Sequence, residues 1–155
     1  MFNKILICLD GSELAEQILP YAIEQAKRFN SELVLFRAFS EPSAVSLAIP
    51  GMPGVPIDSR NRERQLINDE QEAAQYLKSL AEKLRIEEKL TVNYDLQMGI
   101  AGPAIVEYCK DHDIKLVAIA THGRSGLGRV VLGSVADYVI RHSNVAILLM
   151  RPSVD

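Results

Sequence analysis

Apolar residues in this chain cluster into five short runs, separated by longer stretches with helical spacing. The first run is apolar without alternation, which predicts a strand buried on both faces of a sheet. The third run alternates apolar and polar residues, which is typical of an edge strand. The five predicted strands are Lys4–Leu9, Glu32–Phe39, Thr91–Leu96, Leu116–Ala120 and Val145–Met150.

A helix is predicted after Ser12, whose side chain can cap it. Apolar residues recur there every three or four positions and continue past Pro20, which predicts a kinked but unbroken helix. The residues of this stripe are Ala15, Ile18, Leu19, Ala22, Ala26 and Phe29. Further helices are predicted over Asn61–Glu88, from Gly99–Pro103 onward, and over Val135–Arg141.

Residues Ser40–Ser59, between the second strand and the long helix, contain four prolines and two glycines. No regular element fits that composition. We therefore expect a long loop, and loops of this length often act as lids or contact surfaces.

Strands and helices alternate from the first strand to the fifth. This order predicts an α/β fold with a parallel sheet, helices on both faces and right-handed crossovers. A length of 155 residues suits a single domain over 1–155. Ligands in such sheets bind beyond the carboxyl ends of the strands, so the tips of strands one, two and four should share a cleft. These tips are Asp10, Ala38–Ser40 and the stretch after Ala120.

Composition narrows the classes of function. The formal net charge of −3 argues against a broad nucleic-acid surface, which needs an excess of Lys and Arg. We expect no signal peptide and no membrane span. Cys8 and Cys109 predict two buried reduced thiols in a cytoplasmic protein. The three His and two Cys lack the spacing of zinc ligands, so we expect no dedicated metal site.

The fourth predicted strand runs into a glycine-rich turn, Thr121–Ser134, and then into a helix. Glycines let the backbone approach a charged ligand, and the free N–H groups of a helix start attract anions, so an anion site is predicted here. Gly123 and Gly128 are followed by Arg129 rather than by the Lys and Ser/Thr of a Walker A loop. The third glycine of the dinucleotide fingerprint is also missing. A P-loop NTPase is therefore ruled out, and a Rossmann dehydrogenase is a poor fit.

Three segments resemble the universal stress protein family. Thr121–Gly123, followed after nine residues by Gly133 and Ser134, is similar to its nucleotide loop. The apolar strand that ends in Asp10–Ser12 and the closing segment Val145–Leu148 are similar to the same family. The resemblance spans almost the whole chain apart from the proline-rich loop. It implies a five-stranded parallel α/β sheet of the adenine nucleotide alpha hydrolase type, in the order 3-2-1-4-5.

The resemblance also implies that an adenine nucleotide, ATP or AMP, binds at the carboxyl edge of the sheet. Asp10 would approach the ribose or a Mg²⁺-bound phosphate, and the backbone of Ala38 would pair with the adenine edge. Gly123, Gly133 and Ser134 would hold the phosphates. The implied nucleotide-binding residues are Leu9, Asp10, Ser12, Ala38, Ile119, Ala120, Gly123, Arg124, Gly133, Ser134 and Val135. No catalytic residue is implied.

Some of these residues have a second interpretation. Ala120 stands where the family's ATP-binding pattern has glycine, and its methyl group is harmless if the backbone there keeps a negative φ. Asp10 could instead cap a turn or the first helix. Arg124 could neutralise phosphate or lie in solvent. His122 is expected to make a structural hydrogen bond.

The first hypothesis is an adenine-nucleotide-binding regulatory protein of the stress response, with at most slow ATP hydrolysis because no strong general base or Walker lysine is visible. The alternative is a dimeric interaction module of the same fold that binds no nucleotide. An ATP pyrophosphatase-type ligase ranks last, because the chain lacks a Ser-Gly-Gly loop after the first strand. The resemblance implies a homodimer through the last strand, Val145–Met150, which is expected at a sheet edge. Neither nucleic acid nor membrane is expected as a partner.

Overall fold

The computed structural model describes residues 1–39, 59–121 and 132–153, and only the backbone of residues 59–62. Within these ranges, five parallel strands form one sheet in the order β3-β2-β1-β4-β5. The strands are β1 (Lys4–Cys8), β2 (Glu32–Phe39), β3 (Val92–Met98), β4 (Leu116–Ala120) and β5 (Ala146–Met150). The helices are α1 (Glu13–Glu16), α2 (Leu19–Phe29), α3 (Ser59–Glu88), α4 (Ala101–Asp111) and α5 (Ser134–His142). The predicted α/β fold and strand order are confirmed.

A hydrophobic cluster lies on each face of the sheet. Ile5 and Ile7 of β1 belong to the cluster under α1, α2 and α3, together with Leu77 of α3. Leu6, which points to the opposite face, belongs to the cluster under α4 and α5 with Val139. Because successive side chains of a strand alternate between faces, the unbroken apolar sequence of β1 allows both faces to be covered.

The two edges of the described sheet are β3 and β5. The edge position predicted for the alternating third strand is confirmed, and residues such as Asn93 and Tyr94 are exposed there. The edge position expected for the last strand is confirmed as well. In β5, Leu149 is 39% exposed.

The helix predicted after Ser12 is broken, not kinked. α1 ends at Glu16 and α2 begins at Leu19, with Pro20 in its first turn. The prediction of one continuous helix is therefore wrong. A proline inside a helix removes one hydrogen bond, whereas in a first turn its missing N–H has no intrahelical partner to lose, so the helix restarts at the proline. The apolar stripe nevertheless reaches the core through Ile18, which is fully buried.

Phe29 was expected in the core but lies at the surface, where it is 40% exposed. It is the last residue of α2. Its ring packs edge-on against Phe2, with the two ring centroids 5.1 Å apart. The last apolar residue of α2 therefore packs on the N-terminal segment instead of the core, because the helix extends past the cluster that buries its earlier turns.

Cys8 and Cys109 are buried and free, as predicted. Burial raises the pKa of the Cys109 thiol to about 11. Burial and the neighbouring Cys109 hold the pKa of Cys8 still further above its ordinary range. Both thiols are therefore protonated at neutral pH. In the described part of the chain, none of the helices has the length and apolarity needed to cross a bilayer.

Candidate functional site

From β1 the chain builds the sheet in one direction through β2 and β3, and then in the other direction through β4 and β5. In open α/β sheets, the crevice between the two strands where this direction changes, here β1 and β4, is the usual ligand site. Cys8 pairs with Ile119 in the register of these two strands. A cavity of about 90 Å³ lies beyond their carboxyl ends. Its lining consists of Cys8, Leu9, Asp10, Ala15, Ala38, Ala101, Ile119, Ala120 and Val135.

Six residues implied by the resemblance line this small cavity. They are Leu9, Asp10, Ala38, Ile119, Ala120 and Val135. Gly133 and Ser134 immediately precede the lining residue Val135, at the N-terminus of α5. Gly123 and Arg124, as well as His122 and the loop at 40–58, lie outside the described residues.

Ser12 orients the carboxylate of Asp10. Asp10 Oδ1 accepts hydrogen bonds from the Ser12 backbone N–H at 2.9 Å and from the Ser12 hydroxyl at 2.6 Å. The Ser12 oxygen accepts one from Ala15 N at 3.1 Å and so caps α1, as predicted. Gly11 between them has a φ of +85°, a left-handed conformation that favours glycine. The turn thus caps the helix through Ser12 and presents the Asp10 carboxylate at the crevice.

Three helices begin at this edge of the sheet. α1, α4 and α5 contribute Ala15, Ala101 and Val135 to the lining. The first N–H groups of a helix have no intrahelical partner and carry the positive end of its dipole. The N-caps of α4 and α5, Ile100 and Gly133, make no side-chain capping bond. The local field therefore favours a negatively charged group.

Ala120, the departure from the family's glycine pattern, ends β4 and pairs with Met150 of β5. Its φ is negative, since the described non-glycine residues with positive φ are Asn30, Lys89 and Asp113. The backbone condition stated from the sequence is thus met. The methyl group adds no backbone strain and forms part of the cavity wall.

Sequence reasoning missed Cys8, Ala15 and Ala101 as lining residues. Ala101 follows β3, whose tip was not among those expected to converge. A signal was available, because Gly99 and Pro103 mark a helix start at the same edge of the sheet. Local sequence does not tell which strands that helix covers.

A larger cavity of about 470 Å³ shares Asp10 and Ala38 with the small one. Its lining consists of Asp10, Gly11, Arg37, Ala38, Phe39, Asp69, Glu72 and Tyr76. Tyr76 donates a hydrogen bond to Glu16 at 2.9 Å. Burial, and then that bond, hold the pKa of Tyr76 above its ordinary range. Among the described residues, no three His, Cys, Asp or Glu side chains are grouped as ligands for a metal ion.

A crevice at the switch point of a parallel sheet, ringed by helix N-termini, is typical of α/β proteins that bind small anionic ligands. A sequence profile of the universal stress protein family matches residues 1–151. The chain belongs to the universal stress protein family. It is 30% identical to universal stress protein Sll1388 of Synechocystis over 152 residues, which cover 97% of this chain and 98% of that protein.

Solved structures share the fold. Protein MJ0577 of Methanocaldococcus jannaschii superposes with a TM-score of 0.77 at 24% identity, covering 100% of this chain and 99% of that one. A universal stress protein of Arabidopsis thaliana with AMP bound gives 0.65 at 13% identity, with 99% and 94% covered. A universal stress protein in complex with cAMP gives 0.67 at 18% identity, with 98% of each chain covered.

Proposed function

We propose that this protein binds an adenine nucleotide and acts as a regulatory protein of the stress response in the cytoplasm. The observation that carries the proposal is the small cavity at the β1–β4 crevice. Its lining combines the apolar residues Leu9 and Ile119 with Asp10 and with Val135 at the start of α5. Membership of the family supports the proposal, and so do the two solved relatives with AMP or cAMP.

The size of the cavity indicates which part of a nucleotide it would take. At about 90 Å³ it is far smaller than the roughly 300–1,000 Å³ of pockets that enclose whole ligands. We therefore place the base there, with its edge paired to the backbone of Ala38 and its rings against Leu9, Ile119 and Ala120. The sugar and phosphates extend out along the edge of the sheet.

Charge indicates which residues would contact the ribose and which would contact the phosphates. A carboxylate repels phosphate but accepts hydrogen bonds from ribose hydroxyls, so Asp10, held by Ser12, is assigned to the ribose or to a Mg²⁺-bound phosphate. The phosphates are assigned to the N-terminus of α5, where Gly133, Ser134 and Val135 supply N–H groups. Gly123 and Arg124 complete the proposed set of contacts.

Binding rather than turnover is the proposed role. Among the described residues that line the small cavity, Asp10 and Cys8 are the ones that titrate. The Cys8 thiol stays protonated because burial raises its pKa. The nucleotide would therefore act as a signal, with at most slow hydrolysis.

Two measurements test this function. Mass spectrometry of ligand released from denatured, freshly purified protein is expected to find an adenine nucleotide. Calorimetric titration with ATP, AMP and cAMP, with and without Mg²⁺, should then measure its affinity. No released nucleotide and no affinity in any titration would contradict the proposal and favour the dimeric interaction module.

Substitution of Ser134 gives a sharper test of the site. Ser134→Glu should abolish binding, because it puts a negative charge where the phosphates are proposed. The same charge favours the helix dipole, so the fold should be retained, with an unchanged or higher melting temperature. Ser79→Glu, an exposed position in α3, is the matched control and should bind normally. Gly133→Val should also abolish binding, by blocking the phosphates.

We also propose that two copies of the chain pair through β5. This strand lies at an edge of the sheet and exposes 39% of Leu149. Its outer backbone groups can pair with another strand, and natural proteins usually cover or pair such edges. Two β5 strands related by a twofold axis would join two sheets into one.

A further inference from the structure

Arg37 precedes Ala38, the proposed adenine contact, but its side chain lies on the opposite face of the sheet. Ala38 packs with the cluster under α4 and α5. Successive side chains of a strand alternate between faces, so Arg37 points toward α3. There it lines the larger cavity, next to Tyr76.

The guanidinium of Arg37 lies against the turn that presents Asp10. A Cβ built on Gly11 would lie 2.7 Å from Nη1 and 3.3 Å from Cζ of Arg37. No side chain at Gly11 can therefore coexist with the guanidinium in this position. The guanidinium therefore occupies the space that a side chain at Gly11 would fill.

The guanidinium also lies near the ring of Tyr76 in α3. Arg37 Cζ lies 6.0 Å from the centroid of the Tyr76 ring, at the outer limit of a cation–π contact. Tyr76 is itself fixed by its hydrogen bond to Glu16 of α1. The charge of Arg37 thus lies next to a tyrosine of α3 that is itself tied to α1.

Arg37 shares the larger cavity with three acidic residues, which we call the acidic wall. Asp10, Asp69 and Glu72 line the same cavity, and Arg37 is the one cation among its described lining residues. Three carboxylates beside a site for a phosphate-bearing ligand raise the electrostatic cost of binding, and a guanidinium lowers it.

We propose that Arg37 is a positioning residue for nucleotide binding: it supports the Asp10–Ser12 turn and offsets the acidic wall without touching the nucleotide. The inference rests on the proposed function. It assigns to the larger cavity an electrostatic role and leaves the nucleotide in the smaller one.

The test changes the charge at Arg37 and at Glu72 and measures the affinity of each variant for ATP by calorimetry. Arg37→Gln should weaken binding roughly twofold to fivefold, as loss of a partly exposed charge interaction does. Arg37→Lys keeps the charge and should restore most of the affinity. Glu72→Gln removes an exposed carboxylate and should tighten binding. A purely structural role for Arg37 predicts an Arg37→Gln effect that salt does not change. High salt should shrink the Arg37→Gln effect, because it screens charges.

Each outcome decides the inference. If Arg37→Gln binds ATP as tightly as the wild-type protein does, the role proposed for Arg37 is wrong and the proposed function still stands. Wild-type protein that binds no nucleotide overturns both. If Arg37→Gln fails to fold, the comparison uses Arg37→Lys and Glu72→Gln. An affinity of Glu72→Gln equal to that of wild type then overturns the inference, because the acidic wall would impose no electrostatic cost for Arg37 to offset.

Discussion

Gly102 lies at a close contact between α4 and α5. A Cβ built there would lie 2.8 to 2.9 Å from Cγ, Cβ and Cδ1 of Tyr138. The Tyr138 ring also stacks on His142, with centroids 4.1 Å apart. This contact fixes α5, whose N-terminus borders the small cavity, against α4. A single missing methyl group thus contributes to the position of the candidate site.

Gly102→Ala should destabilise the protein by about 1–3 kcal/mol, the usual cost of overpacking. Helix propensity alone would favour alanine by ~1 kcal/mol, but the clash involves atoms close to the Tyr138 backbone, which cannot swing aside. Urea denaturation measures the change in the free energy of unfolding.

The Tyr138→Ala background is the control for this contact. There the same substitution at Gly102 should be neutral or stabilising, because the clash is gone and propensity remains. A loss of stability of equal size in both backgrounds would show that the contact with Tyr138 is not the cause.

At the scale of elements, helix ends carry conformational strain. Asn30, Lys89 and Asp113 follow α2, α3 and α4 with φ values of 51°, 55° and 54°. Asn and Asp adopt this left-handed conformation with modest cost, whereas Lys has no side-chain group that favours it. Lys89 is therefore the most strained of the three helix ends.

Lys89→Gly should stabilise the protein by about 1 kcal/mol, because glycine adopts a positive φ without steric cost. Asn30→Gly should gain less. Lys83→Gly, an exposed position inside α3, is the matched control and should lose about 1 kcal/mol. Chemical denaturation of the three variants gives the comparison. Effects of the same sign at Lys89 and Lys83 would contradict the explanation.

For the molecule as a whole, the β5 edge of the sheet is the proposed site of dimerisation. If β5 strands pair across a twofold axis, wild-type protein should sediment as a dimer. Leu149→Lys should yield monomers, because a charged residue on an edge strand opposes pairing. Ile86→Lys, on α3 where Ile86 is 77% exposed, is the control and should remain dimeric. Monomeric wild-type protein at micromolar concentration would contradict the proposed dimer and leave the nucleotide proposal untouched.

The amino-acid sequence alone was enough to predict the five strands, the fold class and all the helices except the division between α1 and α2. Run length and periodicity are local properties, and a buried strand such as β1 or an alternating one such as β3 shows them directly. The errors arose where local pattern was not enough. The stripe through Pro20 continued across a real break between two helices, and Phe29 fitted the period but extended beyond the core.

The surroundings of the candidate site became visible in the three-dimensional fold and not before. Asp10 and Ala38 could be placed at one edge from the sequence, because parallel strands end together. The contribution of Ala101 depends on where α4 crosses the sheet, and the contact of Arg37 with Gly11 depends on how α3 and β2 meet beneath the turn. Such contacts join residues far apart in sequence, and packing between elements sets them, so no local pattern encodes them.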